Sequence, residues 1–143
     1  MSEATPTTVV CYDGVCGLCN GFVVFLLRRD SRQRLRFAAL QGATARQLLA
    51  VHAIVPSDLN TIYVIADWRA PSERALARSA AVLHALRQLD RPWPVVARLG
   101  SLVPRPVADH VYRAIARIRY RIFGKYDRCP VPPPGWQRAF LDQ

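Results

Sequence analysis

The chain has 143 residues, 51% of them hydrophobic, and a formal net charge of +10. No apolar run reaches the ~18 residues that a membrane-spanning helix needs, so the length and composition suit one domain with its own buried core. Residues 1–6 have neither the basic nor the apolar region of a signal peptide, and we therefore expect a cytoplasmic location. In that reducing compartment a cysteine pair is more often catalytic or metal-binding than structural.

The positive charge is carried by arginine at all but one of the twenty basic positions. Such a charge can attract nucleic acid or an anionic lipid surface. The arginines are scattered, however, and do not alternate with aromatic residues as they do in surfaces that stack bases. We expect no specific nucleic-acid partner and interpret most of the charge as solvated helix faces.

The first part of the chain, residues 7–90, alternates strand and helix patterns. Thr7 to Tyr12 is rich in Val and Thr and predicts a strand buried on both faces. The strand leads through an Asp-Gly turn into an apolar helix predicted from about Cys16 to Arg29. The further predicted elements are a strand at Leu35–Ala38, a helix at Gly42–His52, a central strand at Thr61–Ala66, a weak strand through Arg74 and Leu76, and a helix from the N-cap Ser79 to Leu89.

The second part, residues 91–143, is predicted as a helical extension followed by an irregular proline-rich tail. Apolar residues at helical spacing form one stripe in the segment from Val107 to Phe123, which Gly124 ends as a C′ residue. The stripe consists of Val107, Val111, Ile115, Ile118 and Ile122. We expect it to pack on the sheet or on the first helix, so that any membrane contact is weak and electrostatic.

Two further expectations concern the polar face of that helix and the tail. Another face of the same helix carries Arg113, Arg117 and Arg121, which we expect to stay solvated. The tail from Asp127 to Gln143 cannot be regular because of its prolines, and its apolar residues are expected to lie on the domain. These apolar residues are Trp136, Phe140 and Leu141.

A Cys-x-x-Cys pair, Cys16 and Cys19, stands at the predicted start of the first helix. Residues three apart on a helix share a face, so the two sulfur atoms can come within disulfide distance. The unpaired N–H groups and the dipole of the first turn favour a thiolate at Cys16. The pattern predicts a redox dithiol, in which Cys16 attacks a substrate disulfide and Cys19 resolves the mixed disulfide.

The segment Tyr12-Asp13-Gly14-x-Cys16-x-x-Cys19 resembles the signature of the DCC family, regarded as thiol-disulfide oxidoreductases. Similar blocks follow in the same order along residues 8–130, among them Leu26–Asp30, Arg78–Val82, Val103–Pro106 and Arg119–Gly124. The resemblance implies a thioredoxin-like α/β fold (β-α-β-α-β-β-α), and the predicted element order agrees with it. It also implies a redox role, with a disulfide-containing protein or small molecule as substrate and a separate reductant to recycle the pair.

Two further positions are candidates for the site. Asp13 stands three residues before Cys16 and could accept the proton of Cys19, or its carboxylate could cap the N–H groups of the helix from an Asp-Gly turn. The segment from Arg78 to Val82 resembles the part of glutathione transferases that holds the γ-glutamyl carboxylate. That resemblance makes Ser79 and Arg78 candidate substrate-binding residues and glutathione a candidate co-substrate, although Arg78 replaces an acidic residue and ordinary N-capping also explains Ser79. No other cofactor is expected.

Two rival interpretations remain. Zinc could be held by Cys11, Cys16, Cys19 and Cys129, but structural zinc usually comes from two short knuckles and only one is present, so we expect no metal. Alternatively, the chain could be a non-catalytic binding module whose basic C-terminal helix docks an acidic partner or a membrane surface. The redox interpretation is preferred because the cysteine pair stands at a turn that opens a helix.

Overall fold

The computed structural model describes residues 7–31, 33–54, 62–124 and 139–141. Each element predicted from the sequence is present, with bounds that differ by at most two residues, although Thr61, the predicted start of the third strand, lies outside the described residues. The elements are β1 (Thr7–Tyr12), α1 (Gly17–Arg29), β2 (Leu35–Ala39), α2 (Ala43–Ala50), β3 (Tyr63–Trp68), β4 (Arg74–Ala77), α3 (Arg78–Arg87), α4 (Trp93–Gly100) and α5 (Arg105–Phe123).

The four strands form one sheet in the order β2-β1-β3-β4. β1 and β2 are parallel and are joined through α1, whereas β3 runs antiparallel to both β1 and β4. The parallel unit β1-α1-β2 followed by the hairpin β3-β4 and the helix α3 is the thioredoxin-like arrangement. The predicted fold class is confirmed.

The central strand β1 is buried on both faces of the sheet, as its Val-rich sequence predicts. Val10 and Tyr12 belong to a core cluster that includes residues of α1 and α3. Val9 and Cys11 belong to a second cluster with residues of α2. The period-2 alternation of a strand therefore separates the core into two layers, and the carboxyl end of β1 emerges between them.

The C-terminal helix α5 lies against α1 and α3. Its Tyr112 hydroxyl accepts a hydrogen bond from the buried Ile62 amide at 2.7 Å and so links the helix to the start of β3. Its apolar stripe, by contrast, is 41–62% exposed, so the prediction that the stripe packs on the sheet or on α1 is wrong. The face of α5 that carries Tyr112 and Ala116 is turned toward the domain, and these two residues are less exposed than the stripe.

The described end of the tail lies on the sheet, as predicted. The Leu141 amide donates to the Phe37 carbonyl at 2.9 Å, and the rings of Phe140 and Phe37 are 5.4 Å apart. Trp136, the third apolar residue of that prediction, lies outside the described residues. Within the described part of the chain, no helix is long and apolar enough to cross a bilayer.

Candidate functional site

The two cysteines of the pair lie at the junction of β1 and α1. Cys16 is the N-cap residue of α1, and its sulfur accepts a hydrogen bond from the Cys19 amide at 3.2 Å. The two sulfur atoms are not joined by a disulfide in this structure. The first-turn amides of a helix lack carbonyl partners within it, and the Cys16 sulfur provides one of them with an acceptor.

The two cysteines differ in burial. Cys16 is 0% exposed, whereas Cys19 is half-buried. The Gly17 amide, next to Cys16, donates to the Gly124 carbonyl at 3.1 Å, so the end of α5 closes over the start of α1. A substrate that meets the surface of this structure reaches Cys19 before Cys16.

The buried Asp13 carboxylate holds the turn between β1 and Cys16. Its Oδ1 accepts hydrogen bonds from the Val15 amide at 3.2 Å and from the Gln41 side-chain amide at 2.7 Å. Gln41 also accepts a hydrogen bond from the Gly14 amide at 2.9 Å. The Val15 amide lies in the turn before α1, so these contacts hold the turn, and both predicted roles of Asp13, as a cap of the helix and as a proton acceptor, stay predictions.

Gln41 and Asn20 are site residues that the sequence analysis missed. The Asn20 side-chain amide donates to the carbonyls of Gly14 and Cys16 at 2.8 and 2.9 Å, so it fixes the same turn from the helix side. Gln41 follows the end of β2, and the carboxyl ends of parallel strands meet at one edge of a sheet. The position of Gln41 just after β2 was therefore the sequence signal that could have placed it at this site.

The helix α3 begins at the same edge of the sheet as α1, because Ala77 pairs with Tyr63, which pairs with Cys11. Ser79, predicted to be its N-cap, is not: the N-cap residue is Ala77. The Ser79 hydroxyl instead donates to the carboxylate of Asp109 on α5 at 2.5 Å.

The Asp109 carboxylate therefore occupies the position at Ser79 where the resemblance would place a substrate carboxylate. Its pKa is lowered, first by the hydrogen bond from the Ser79 side chain and to a smaller extent by the nearby charges of Arg105 and Arg78. Both predicted substrate-binding residues, Ser79 and Arg78, thus already interact with an acidic residue of the chain itself. Their role toward glutathione stays a prediction.

Beside Ser79 lies a cavity of about 390 Å³ between α3 and the segment that joins α4 to α5. Its polar lining is mainly basic and includes Arg74, His84, Arg87 and Arg105. Burial is the main cause that lowers the pKa of His84, and the charges of Arg74 and Arg87 lower it further. Neither cysteine of the pair lines this cavity, so the structure separates the basic cavity from the thiols.

The zinc interpretation finds no support among residues 7–31, 33–54, 62–124 and 139–141. In those ranges no three His, Cys, Asp or Glu side chains are grouped so that they could hold a metal ion. Cys11 is fully buried within β1, and Cys129, the other cysteine of that hypothesis, lies outside the described residues.

Comparisons with known proteins agree with the fold and with the motif. The profile of the DCC1-like thiol-disulfide oxidoreductases matches residues 10–125. The uncharacterised protein YuxK of Bacillus subtilis is 36% identical over 140 residues, which cover 98% of each chain. A chloroplastic DCC family protein of Arabidopsis thaliana is 33% identical over 127 residues, which cover 89% of this chain and 71% of the relative. No solved structure gives a significant match. The chain belongs to the family of DCC1-like thiol-disulfide oxidoreductases.

Proposed function

We propose that the chain exchanges thiols and disulfides through the pair Cys16 and Cys19. The observation that carries the proposal is the hydrogen bond from the Cys19 amide to the Cys16 sulfur at the start of α1. It joins the two residues of the motif at a position where a helix favours negative charge. Family membership supports a redox role in general, whereas the identity of the substrate is part of the proposal.

The proposed reaction takes two steps. The Cys16 thiolate attacks one sulfur of a substrate disulfide, forms a mixed disulfide with it, and releases the other half as a thiolate that takes up a proton. The Cys19 thiol then loses its proton and attacks the Cys16 sulfur. This second step forms the Cys16–Cys19 disulfide, releases the second substrate thiol, and completes the transfer of two electrons to the substrate.

The order of attack follows from charge stabilisation rather than from exposure. Cys16 receives the helical amide, so it is the better site for a thiolate, but it is fully buried. Attack by Cys16 therefore requires a local opening, and we propose that it occurs at the hydrogen bond between Gly124 and Gly17, the residue next to Cys16. Attack by the half-buried Cys19 would need no such opening, and a trapping experiment separates the two orders.

The test uses 5,5′-dithiobis(2-nitrobenzoate) as the substrate disulfide and intact-protein mass as the readout. Every variant carries Cys129→Ser, so that this other thiol of the chain does not react, while Cys11 is fully buried. We expect Cys19→Ser to accumulate a stable mixed disulfide on Cys16, because the resolving thiol is gone. Cys16→Ser should lose turnover and form no stable adduct.

The control for this experiment is Cys129→Ser alone, which should keep wild-type turnover. A stable adduct on Cys19 in Cys16→Ser, without one in Cys19→Ser, would reverse the assigned order. Wild-type turnover in both cysteine variants would refute the redox proposal itself.

The proton of Cys19 is proposed to pass to Asp13. Asp13→Asn is the informative variant, since an asparagine oxygen can still accept from Val15 and from Gln41 while it no longer acts as a base. We expect the resolving step, measured as substrate release from the mixed disulfide, to slow by at least about 10²-fold. Unchanged release in Asp13→Asn, together with a loss of folding stability in Asp13→Ala, would leave the carboxylate a turn-capping role only.

The partners proposed for the reaction are a disulfide-containing protein or small molecule and a separate reductant. Glutathione is one candidate for either part, and Ser79 with Arg78 is its candidate site. The hydrogen bond from Ser79 to Asp109 sets a specific condition, because a glutathione carboxylate would have to displace Asp109. Asp109→Asn should therefore lower the KM for glutathione if this site is used, and leave it unchanged if it is not.

A further inference from the structure

The described part of the chain exposes large apolar residues mainly at its C-terminal helices. Ten residues between Val95 and Ile122 are 40–77% exposed, and the sheet and the other helices add only Val51 to this set. On α5 these residues form the stripe from Val107 to Ile122, and on α4 and the following loop they are Val95, Val96, Leu99, Leu102 and Val103. Scattered exposed apolar residues are normal, but five of them in one stripe along a single helix, α5, indicate a binding surface.

Basic residues accompany this apolar surface. Arg113, Arg117 and Arg121 recur at four-residue spacing on α5, beside the stripe, and all three are exposed. Arg98 on α4 is exposed as well. The acidic residue of α5, Asp109, interacts with Ser79 and so does not offset these charges on the solvent side.

The shape of the surface restricts its partner. Each residue of the stripe is at least 41% exposed along about four turns of one helix, so the stripe is a ridge and has no walls on its outer side. Small ligands bind in concave sites, which a ridge cannot provide. An apolar ridge bordered by arginines has the chemistry of a helix that lies in the plane of a bilayer surface.

We propose that α5 docks the protein on an anionic phospholipid surface. The aliphatic side chains of the stripe enter the boundary between headgroups and acyl chains, while the arginines extend to the phosphates. Both parts are needed: the arginines contribute attraction that salt screens, and the stripe contributes apolar contact that salt does not screen. The proposal is independent of the thiol chemistry, since no residue of the cysteine site belongs to this surface.

The test is co-sedimentation of the full chain with vesicles of phosphatidylcholine alone and of phosphatidylcholine mixed with phosphatidylglycerol. We expect binding to the mixed vesicles, with a fraction that persists at high salt. Replacing Arg113, Arg117 and Arg121 by Gln should weaken binding at low salt by about 10²-fold, given about fivefold for each charge near the surface. The variant Ile115→Ser/Ile118→Ser should abolish the salt-resistant fraction.

Two matched controls lie on α2 and just after it, on the opposite side of the sheet. Arg46 and Val51 are exposed, and Arg46→Gln and Val51→Ser should leave vesicle binding unchanged. All substitutions lie on exposed positions, and circular dichroism confirms that each variant is folded.

Three results would overturn the proposal. Absence of binding to the mixed vesicles would mean that the stripe meets something other than lipid. A stable dimer in sedimentation equilibrium that Ile115→Ser/Ile118→Ser converts to a monomer would assign the ridge to a second copy of the chain. A loss of binding in Arg46→Gln as large as that expected for one arginine of α5 would show that only net charge matters.

Discussion

The helices α1 and α5 show opposite relations between sequence pattern and burial. α1 has apolar residues around much of its circumference, and yet it packs into the core through Val23 and Leu26. α5 has a sharply separated apolar stripe, which by pattern alone should face the core, and that stripe is exposed. An amphipathic pattern therefore defines two faces of a helix but does not determine which neighbour covers the apolar one.

The physical difference between the two helices lies in the contacts that orient them. α1 follows β1 directly, and the short turn held by Asp13 and Gln41 fixes its direction over the sheet. α5 is oriented by polar contacts at two positions, Tyr112 with Ile62 and Asp109 with Ser79. These contacts select a face of α5 that is not its most apolar one.

The largest expected effect tests this comparison directly. Leu26→Ala on α1 should lower the free energy of unfolding by about 2–5 kcal/mol, since the side chain is fully buried. Ile115→Ala on α5 should cost less than about 1 kcal/mol, because Ile115 is 44% exposed. Urea denaturation measures both, and an equal loss in the two variants would mean that the stripe is buried in solution.

A smaller effect is expected where α5 is joined to the sheet. Tyr112→Phe removes the acceptor of the amide of Ile62, a residue that is 7% exposed, and leaves that amide without this partner. The expected loss of stability is about 1–3 kcal/mol. Hydrogen exchange should show faster exchange at the Ile62 amide, whereas unchanged exchange there would contradict the role assigned to the tyrosine.

The smallest expected effect is a dependence of the free energy of unfolding on pH, through His84 at the cavity between α3 and the segment that joins α4 to α5. The pKa of His84 is lowered by burial and by Arg74 and Arg87, whereas Asp67 raises it, and the Thr8 hydroxyl and the Gln88 side-chain amide contact the same ring. A folded-state pKa below the unfolded value of about 6.5 means that protonation favours unfolding. Stability should therefore be unaffected above that pH and fall as pH decreases from it toward the folded-state pKa.

The slope of this decrease is at most about 1.4 kcal/mol per pH unit, the value for one proton. His84→Gln should flatten the dependence of the free energy of unfolding on pH in this range. Urea denaturation at a series of pH values measures this dependence. His110→Gln, at an exposed position of α5, is the control and should keep the wild-type slope. A slope that survives in His84→Gln would assign the effect to another group.

The cysteine site was largely predictable because its determinants are close together in sequence. The Val-rich strand, the Asp-Gly turn and the Cys-x-x-Cys spacing indicate the strand, the turn and the helix start, and each is a local property of the backbone. Gln41 was not predicted, since it reaches Asp13 from a position 28 residues along the chain. The full burial of Cys16 was not part of the redox prediction either, because the exposure of a side chain depends on which distant residues the fold brings against it.

The sequence alone determined the element order and the position of the cysteine pair at a helix N-terminus, since these follow from local periodicity and turn chemistry, while the family resemblance implied the fold class. Only the tertiary structure decided which face of α5 is covered, what Ser79 interacts with, and how accessible each cysteine is. These features depend on contacts between residues far apart in the chain, such as Ser79 with Asp109. Patterns within one segment carry no information about such partners, because the free energy of each contact depends on where the fold brings the second residue.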